Sequence, residues 1–163
     1  MTDGSKPLAD RVVVITGATG DLGPTVAHTF ADAGARCALI ARDEESCIGL
    51  AMSLPGATRR HLPLPADLGD AASAKAAAAT VRERLGPASV LLHLVGGYAG
   101  GTPFLETDEA ELASQLDLNL WTTARAMHAF LPDIVASENG RIVTMSTFVA
   151  STPTQKHAAY AAS

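Results

Sequence analysis

Arg11-Val12-Val13-Val14-Ile15-Thr16-Gly17-Ala18-Thr19-Gly20-Asp21-Leu22-Gly23 is the stretch from which the rest of the chain can be read. Residues 11–16 form a β-branched run that ends at Gly17, the composition of a strand buried on both faces of a parallel sheet. Glycines then recur at every third position. Pro24 suits a first helical turn, Val26, Ala27, Phe30 and Ala31 share one helical face, and Gly34 supplies the stop. A strand, a glycine turn and a helix therefore follow one another within the first quarter of the chain.

The alternation repeats outward from this unit. Residues 36–41 read as a second strand, and Asp43 caps a helix through Leu54 that Pro55-Gly56 ends. Residues 61–65 form a weaker third strand, and Pro63 and Pro65, which cannot donate to a ladder, put it at a sheet edge. Asp70 begins an alanine-rich helix to Leu85, stopped by Gly86-Pro87, and residues 89–95 are a fourth, apolar strand. Thr107, Asp108 and Glu109 open a long helix with the stripe Leu112, Leu116, Leu120, Thr123, Met127, Phe130 and Ile134. Residues 140–145 are a fifth strand. Right-handed crossovers between parallel strands then predict an α/β fold, a doubly wound, Rossmann-like parallel sheet ordered 3-2-1-4-5. Residues 1–163 form one domain without an internal repeat.

The bulk composition excludes several functions. Of 163 residues, 47% are apolar and 18% charged, the profile of a globular chain rather than a disordered or collagenous one. A net charge of −5 gives no basic footprint for nucleic acid. The N-terminal residues lack an apolar core segment and no later run is long enough to span a membrane, so the expected location is cytoplasmic. Cys37 and Cys47 have neither CxxC nor metal spacing and are read as reduced thiols. His28, His61, His128 and His157 share no ligand spacing, and no metal is expected.

Between a strand and a helix, the glycine turn favours a dinucleotide. Glycines let the backbone turn tightly and approach a pyrophosphate, while the helix N-terminus offers free amides. A terminal-phosphate loop is excluded because no Gly-Lys-Ser/Thr follows. At the end of the second strand, Ala41 and Arg42 stand where an acid would meet a ribose 2′-hydroxyl. The Arg42 guanidinium can pair with a 2′-phosphate, which favours NADP(H) over NAD(H).

The turn, Asn119 within Asp-Leu-Asn-Leu (117–120), Gly-Arg-Ile-Val-Thr-Met-Ser-Thr (140–147) and Ala-Ala-Tyr-Ala-Ala-Ser (158–163) together resemble the short-chain dehydrogenase/reductase family over residues 10–163. The resemblance implies an NAD(P)(H)-dependent oxidoreductase that moves hydride between nicotinamide and a small carbonyl or alcohol substrate, with a homo-oligomer for the full-length protein. It implies Tyr160 as the acid/base residue, Thr147 with Ser146 beside it as the hydroxyl that holds the substrate oxygen, and Asn119 as the anchor of a water relay. Thr16, Gly17, Thr19, Gly20, Asp21, Leu22, Gly23, Arg42 and Gly96 would hold the cofactor, and Asp67-Leu68 its adenine. Free tyrosine titrates near pH ~10, and the family lowers this with a lysine four residues on. Here Ser163 is the last residue, and Lys156 lies before Tyr160 instead. The expectation is poor catalysis by this length of chain, with the family's C-terminal strands missing and apolar residues such as Leu116, Leu120 and Trp121 left uncovered. His93-Leu94-Val95-Gly96 replaces the family's Asn-Asn-Ala-Gly, and His93 is read as packed rather than chemical. Tyr98, in the glycine-rich loop 96–101, borders the expected substrate. Two other functions stay open: a non-catalytic cofactor-binding or regulatory protein, and, from the Gly-x-x-Gly-x-x-Gly spacing, a nucleotide-sugar epimerase or dehydratase-like enzyme.

Overall fold

β1 (Val12–Thr16) is buried along its whole length because it lies at the centre of a sheet covered on both faces. In a computed structural model of the chain, which describes residues 6–152 and 154–163, β1 pairs in parallel with β2 (Arg36–Ala41) and β4 (Val90–His93). β3 (Leu62–Pro65) adds beyond β2 and β5 (Arg141–Thr144) beyond β4, so the order is β3-β2-β1-β4-β5. This is the α/β, doubly wound order expected from the sequence, with the proline-bearing strand at an edge. The N-terminal residues 1–5, part of the stretch read as lacking an apolar leader, lie outside the described residues. No helix among the described residues is long and apolar enough to cross a membrane.

Period-two alternation sorts the strands into two cores. Val12, Val14, Ala38, Ile40 and Leu91 face α3 (Ala71–Leu85) and α5 (Thr122–Ala136), meeting Ala74, Ala77, Val81, Ala126, Phe130 and Ile134. Val13, Ile15, Cys37, Leu39, Val90 and Leu92 face α1 (Gly23–Asp32) and α2 (Glu44–Ser53), meeting Ala27, Ala31 and Ala51. Alanines at the contacts let the helices lie close to the sheet. Both cysteines are free and buried, and burial pushes the Cys37 thiol up to about 12, so it stays a thiol. His61 sits just before β3, where its ring accepts the Cys37 amide at 3.2 Å and bonds the Pro55 carbonyl at 3.0 Å.

The long helix departs from a single 3.6-residue period. α4 (Glu109–Gln115) runs through a π segment, Leu116–Trp121, into α5, and the Thr122 amide reaches the Asp117 carbonyl five residues back. This extra residue rotates everything before it relative to α5. The buried positions are therefore Gln115, Thr122, Ala126, Phe130 and Ile134. Leu112 and Leu116 are only half-buried, and Leu120 is 47% exposed, which corrects the N-terminal half of the expected stripe. Trp121, 50% exposed, lies beside it with the Arg125 guanidinium over its ring.

Candidate functional site

Three glycines shape the turn after β1, each for a different reason. Gly17 has φ +70°, and a Cβ there would sit 3.0 Å from the Leu94 and Val95 backbone. A Cβ on Gly23 would sit 2.0 Å from the Ala18 carbonyl oxygen, so this glycine seats α1 against the turn. At Gly20 a Cβ would meet only the Gly17 oxygen, at 3.4 Å. Asp43, Asp70 and Asp108 cap α2, α3 and α4 through their carboxylates, but Leu22 gives α1 no side-chain cap. The amides of Asp21 and Leu22 meet no acceptor among the described residues. An uncapped helix start with free amides is an anion site when a ligand lies over it.

A cleft of about 960 Å³ opens beside this turn, on the carboxyl side of the sheet. Gly17, Thr19, Gly20, Arg42, Asp67, Leu68 and Gly96, read separately from the sequence, all line it. The volume lies at the upper end of ordinary ligand pockets. Arg42 is exposed at its wall with no side-chain partner among the described residues, while the neighbouring Asp43 carboxylate is taken up by the Ser46 amide at 2.8 Å. Hydrogen bonding from the Ser46 side chain, and then from its amide, holds the Asp43 carboxyl below the usual range. Asp67 folds into a tight turn by accepting the Gly69 amide at 2.8 Å, and Leu68 is buried beneath it.

Thr16 is placed differently from the sequence reading. It is fully buried, and its hydroxyl bonds His93 Nδ1 at 2.8 Å rather than facing the cleft. Its carbonyl accepts the Leu94 amide, so neither polar group is free for a ligand. Asp21, Leu22 and Gly23 also lie outside the cleft wall. Asp21 and Leu22 present backbone amides, unpaired among the described residues, beside it, and Gly23 packs closely on Ala18. His93 is packed, as read: its Nε2 lies 3.4 Å from the Thr122 hydroxyl, which itself donates to the Leu118 carbonyl at 2.6 Å. Since the Thr122 proton is committed to Leu118, Nε2 carries the ring hydrogen and Nδ1 accepts from Thr16. Burial pushes His93 down to about 4, so the ring is neutral near pH 7. No part of this Thr16–His93–Thr122 chain was legible beforehand except a histidine at a strand end.

Asn119 occupies the π segment, a geometry often found at functional sites. Its Oδ1 accepts the Gly97 amide at 2.8 Å, and its Nδ2 donates to the Gly97 carbonyl at 3.0 Å and to Ser163 Oγ at 2.9 Å. Gln115, missed by the sequence reading, is 4% exposed and accepts the Ala99 amide through Oε1 at 3.1 Å. The two amides thus pin the glycine-rich loop to the long helix. Replacing Asn119 with alanine removes both loop bonds, and amide exchange at Gly97 is expected to speed up about tenfold or more, read by hydrogen-exchange NMR.

Tyr160 stands half-buried on the short α6 (Ala158–Ala162), its ring edge-on to Tyr98 with centroids 5.0 Å apart. Thr147 Oγ1 accepts the Val149 amide at 3.3 Å, which leaves its own proton free to donate. Ser146 is exposed. Tyr160, Thr147, Ser146 and Asn119 lie outside the wall of the large cleft, although Leu118 and Gly96 beside Asn119 belong to it. No direct hydrogen bond joins Tyr160 to Thr147 or Ser146 among the described residues. No group of three or more His, Cys, Asp or Glu among those residues is arranged to hold a metal ion.

A five-stranded doubly wound sheet, a glycine turn at an uncapped helix start and a cleft at the strand ends define a dinucleotide-type α/β protein. The sequence pattern of the family described as "short chain dehydrogenase" matches residues 11–163, and the chain belongs to that family. Relatives include a D-threitol dehydrogenase of Mycolicibacterium smegmatis, 31% identical and matched over 96% of this chain and 60% of its own. A 2,3-dihydroxy-2,3-dihydro-p-cumate dehydrogenase of Pseudomonas putida is also 31% identical, over 94% of this chain and 60% of its own. Among solved structures, a short-chain dehydrogenase/reductase from Brucella melitensis, described as a glucose/ribitol dehydrogenase, superposes with a TM-score of 0.86 at 30% identity, covering 95% of this chain and 64% of that one. The chain thus spans about three-fifths of the length of these two dehydrogenases.

Proposed function

We propose that this chain carries the cofactor cleft and the proton-donating hydroxyls of an oxidoreductase that interconverts a small carbonyl compound and its alcohol with NADP(H). The observation that carries the reading is the convergence of Gly17, Gly20, Arg42, Asp67 and Gly96, from four separate strand ends, on one cleft of about 960 Å³. A nicotinamide cofactor bound there supplies or accepts hydride. The free amides of Asp21 and Leu22 bind its pyrophosphate, the Arg42 guanidinium pairs with a 2′-phosphate, and Asp67 and Leu68 border the adenine. Tyr160 passes the proton at the substrate oxygen while the Thr147 hydroxyl, or that of Ser146 beside it, donates a hydrogen bond to the same atom. Asn119 keeps the loop after β4 in place and bonds Ser163, three residues beyond Tyr160. The free thiols Cys37 and Cys47 support a reducing, cytoplasmic location, and the exposed Leu120 and Trp121 support a homo-oligomer built on the long helix.

Calorimetric titration of the chain with NADPH and NADH tests this reading. NADPH is expected to bind several-fold more tightly, and Arg42→Ala is expected to weaken NADPH about tenfold while leaving NADH within twofold, because only the charge-assisted phosphate bonds are lost. If neither cofactor binds, the reading is wrong.

A further inference from the structure

Tyr98 is the one large side chain in the glycine-rich loop 96–101, and three of the loop's backbone amides make bonds that fix it in place. The Gly97 amide goes to Asn119, the Ala99 amide to Gln115, and the Gly101 amide to the Lys156 carbonyl at 2.9 Å. Lys156 holds φ +65° to present that carbonyl. Gly100 makes room for the ring, since a Cβ there would sit 2.8 Å from the Tyr98 hydroxyl and 3.0 Å from the Lys156 oxygen. The Tyr98 ring meets Tyr160 at 5.0 Å and 86°, and His157 at 5.6 Å and 31°. His157 is itself held by the Thr154 hydroxyl at 2.8 Å. Despite these contacts Tyr98 remains 58% exposed.

We infer that Tyr98 is a specificity-determining residue: with Tyr160 it forms a rigid aromatic corner that selects ring-bearing, unsaturated carbonyl compounds and their alcohols over open-chain ones. The inference rests on the proposed role of Tyr160, which brings the substrate oxygen to one arm of the corner. Two rings at nearly a right angle offer a face and an edge to a third planar ring, the geometry aromatic groups prefer. A flexible chain gains less there and loses more rotational freedom on ordering. Because the loop is pinned on both sides of Tyr98, the wall is present before the substrate arrives.

The test is competitive calorimetry on the chain saturated with oxidised cofactor, which cannot reduce a ketone, with 1-indanone and 2-nonanone as nine-carbon probes. In Tyr98→Ala the ratio of indanone to nonanone affinity is expected to fall about tenfold, with cofactor affinity within twofold of the parent. Tyr98→Phe keeps the ratio. Gly100→Ala, which displaces the Tyr98 hydroxyl without removing the ring, lowers it as well. An unchanged ratio in Tyr98→Ala, or equal weakening of both ketones, overturns the inference while the cofactor reading stands. Loss of cofactor binding by the parent chain overturns both.

Discussion

Gly23→Ala is expected to destabilise the chain by about 3 kcal/mol, the upper end of the overpacking range, and Gly20→Ala by less than about 1 kcal/mol. The added Cβ at Gly23 would lie 2.0 Å from the Ala18 carbonyl oxygen, 2.3 Å from its carbon and 2.8 Å from its Cα. All three are backbone atoms, so no rotamer change relieves the clash, and Ala18 is itself fully buried in the α1 core. Either α1 moves away from β1 or the turn opens. At Gly20 the only neighbour is the Gly17 oxygen at 3.4 Å, an ordinary contact. The two variants therefore separate the structural glycine from the one proposed to lie bare for a ligand: Gly20→Ala should leave the urea midpoint nearly unchanged yet weaken cofactor binding, whereas Gly23→Ala should lower the midpoint itself. Equal midpoints for the two variants would refute this division.

Acid should unfold the protein through His93. Its folded pKa is about 4, against about 6.5 for an unfolded histidine, because burial disfavours the charged ring. Between these values the unfolded chain takes up a proton that the folded chain refuses. The His93 contribution is therefore nearly intact above pH ~6.5, falls as the pH drops, and levels off below pH ~4, with a loss from this group of about 3 kcal/mol, of which about 2 kcal/mol accrues between pH 7 and 5. Protonation would also turn Nδ1 from an acceptor for the Thr16 hydroxyl into a second donor, breaking a bond that ties β1 to β4. His61, likewise pushed down by burial, acts in the same direction. The measurement is urea unfolding at pH 7 and pH 5 for the parent and for His93→Asn, which keeps a donor and an acceptor but does not titrate. The variant is expected to be less stable at pH 7 and to lose most of the pH-dependent part. An unchanged pH slope would show that His93 is not the group responsible.

Much of the fold was legible because each element carries a local signal that its environment does not override. The apolar strands, the carboxylate caps at Asp43, Asp70 and Asp108, and the stops at Gly34 and Gly86 fix where elements begin and end. Pro63 and Pro65 place β3 at an edge because they lack an amide. The long helix was the exception. Reading Leu112 to Ile134 with one period assumes one hydrogen-bond pattern, and the π segment changes that pattern at Leu116. Nothing in Asp-Leu-Asn-Leu announces it, since the widened turn is held from outside by Asn119 on Gly97, and from within by the Thr122 and Thr123 hydroxyls on the Leu118 and Asn119 carbonyls.

The site divides along the same line. The sequence by itself determined the strand order and the position of the glycine turn, because hydrophobic period and crossover handedness act along the chain. Only the tertiary structure decided that Arg42, Asp67 and Gly96 share one cleft while Thr16 turns inward to His93, and that Tyr98 stands against Tyr160. Those are meetings of residues 25 to 77 positions apart, and no local propensity encodes which pairs the folded backbone brings within a few ångströms.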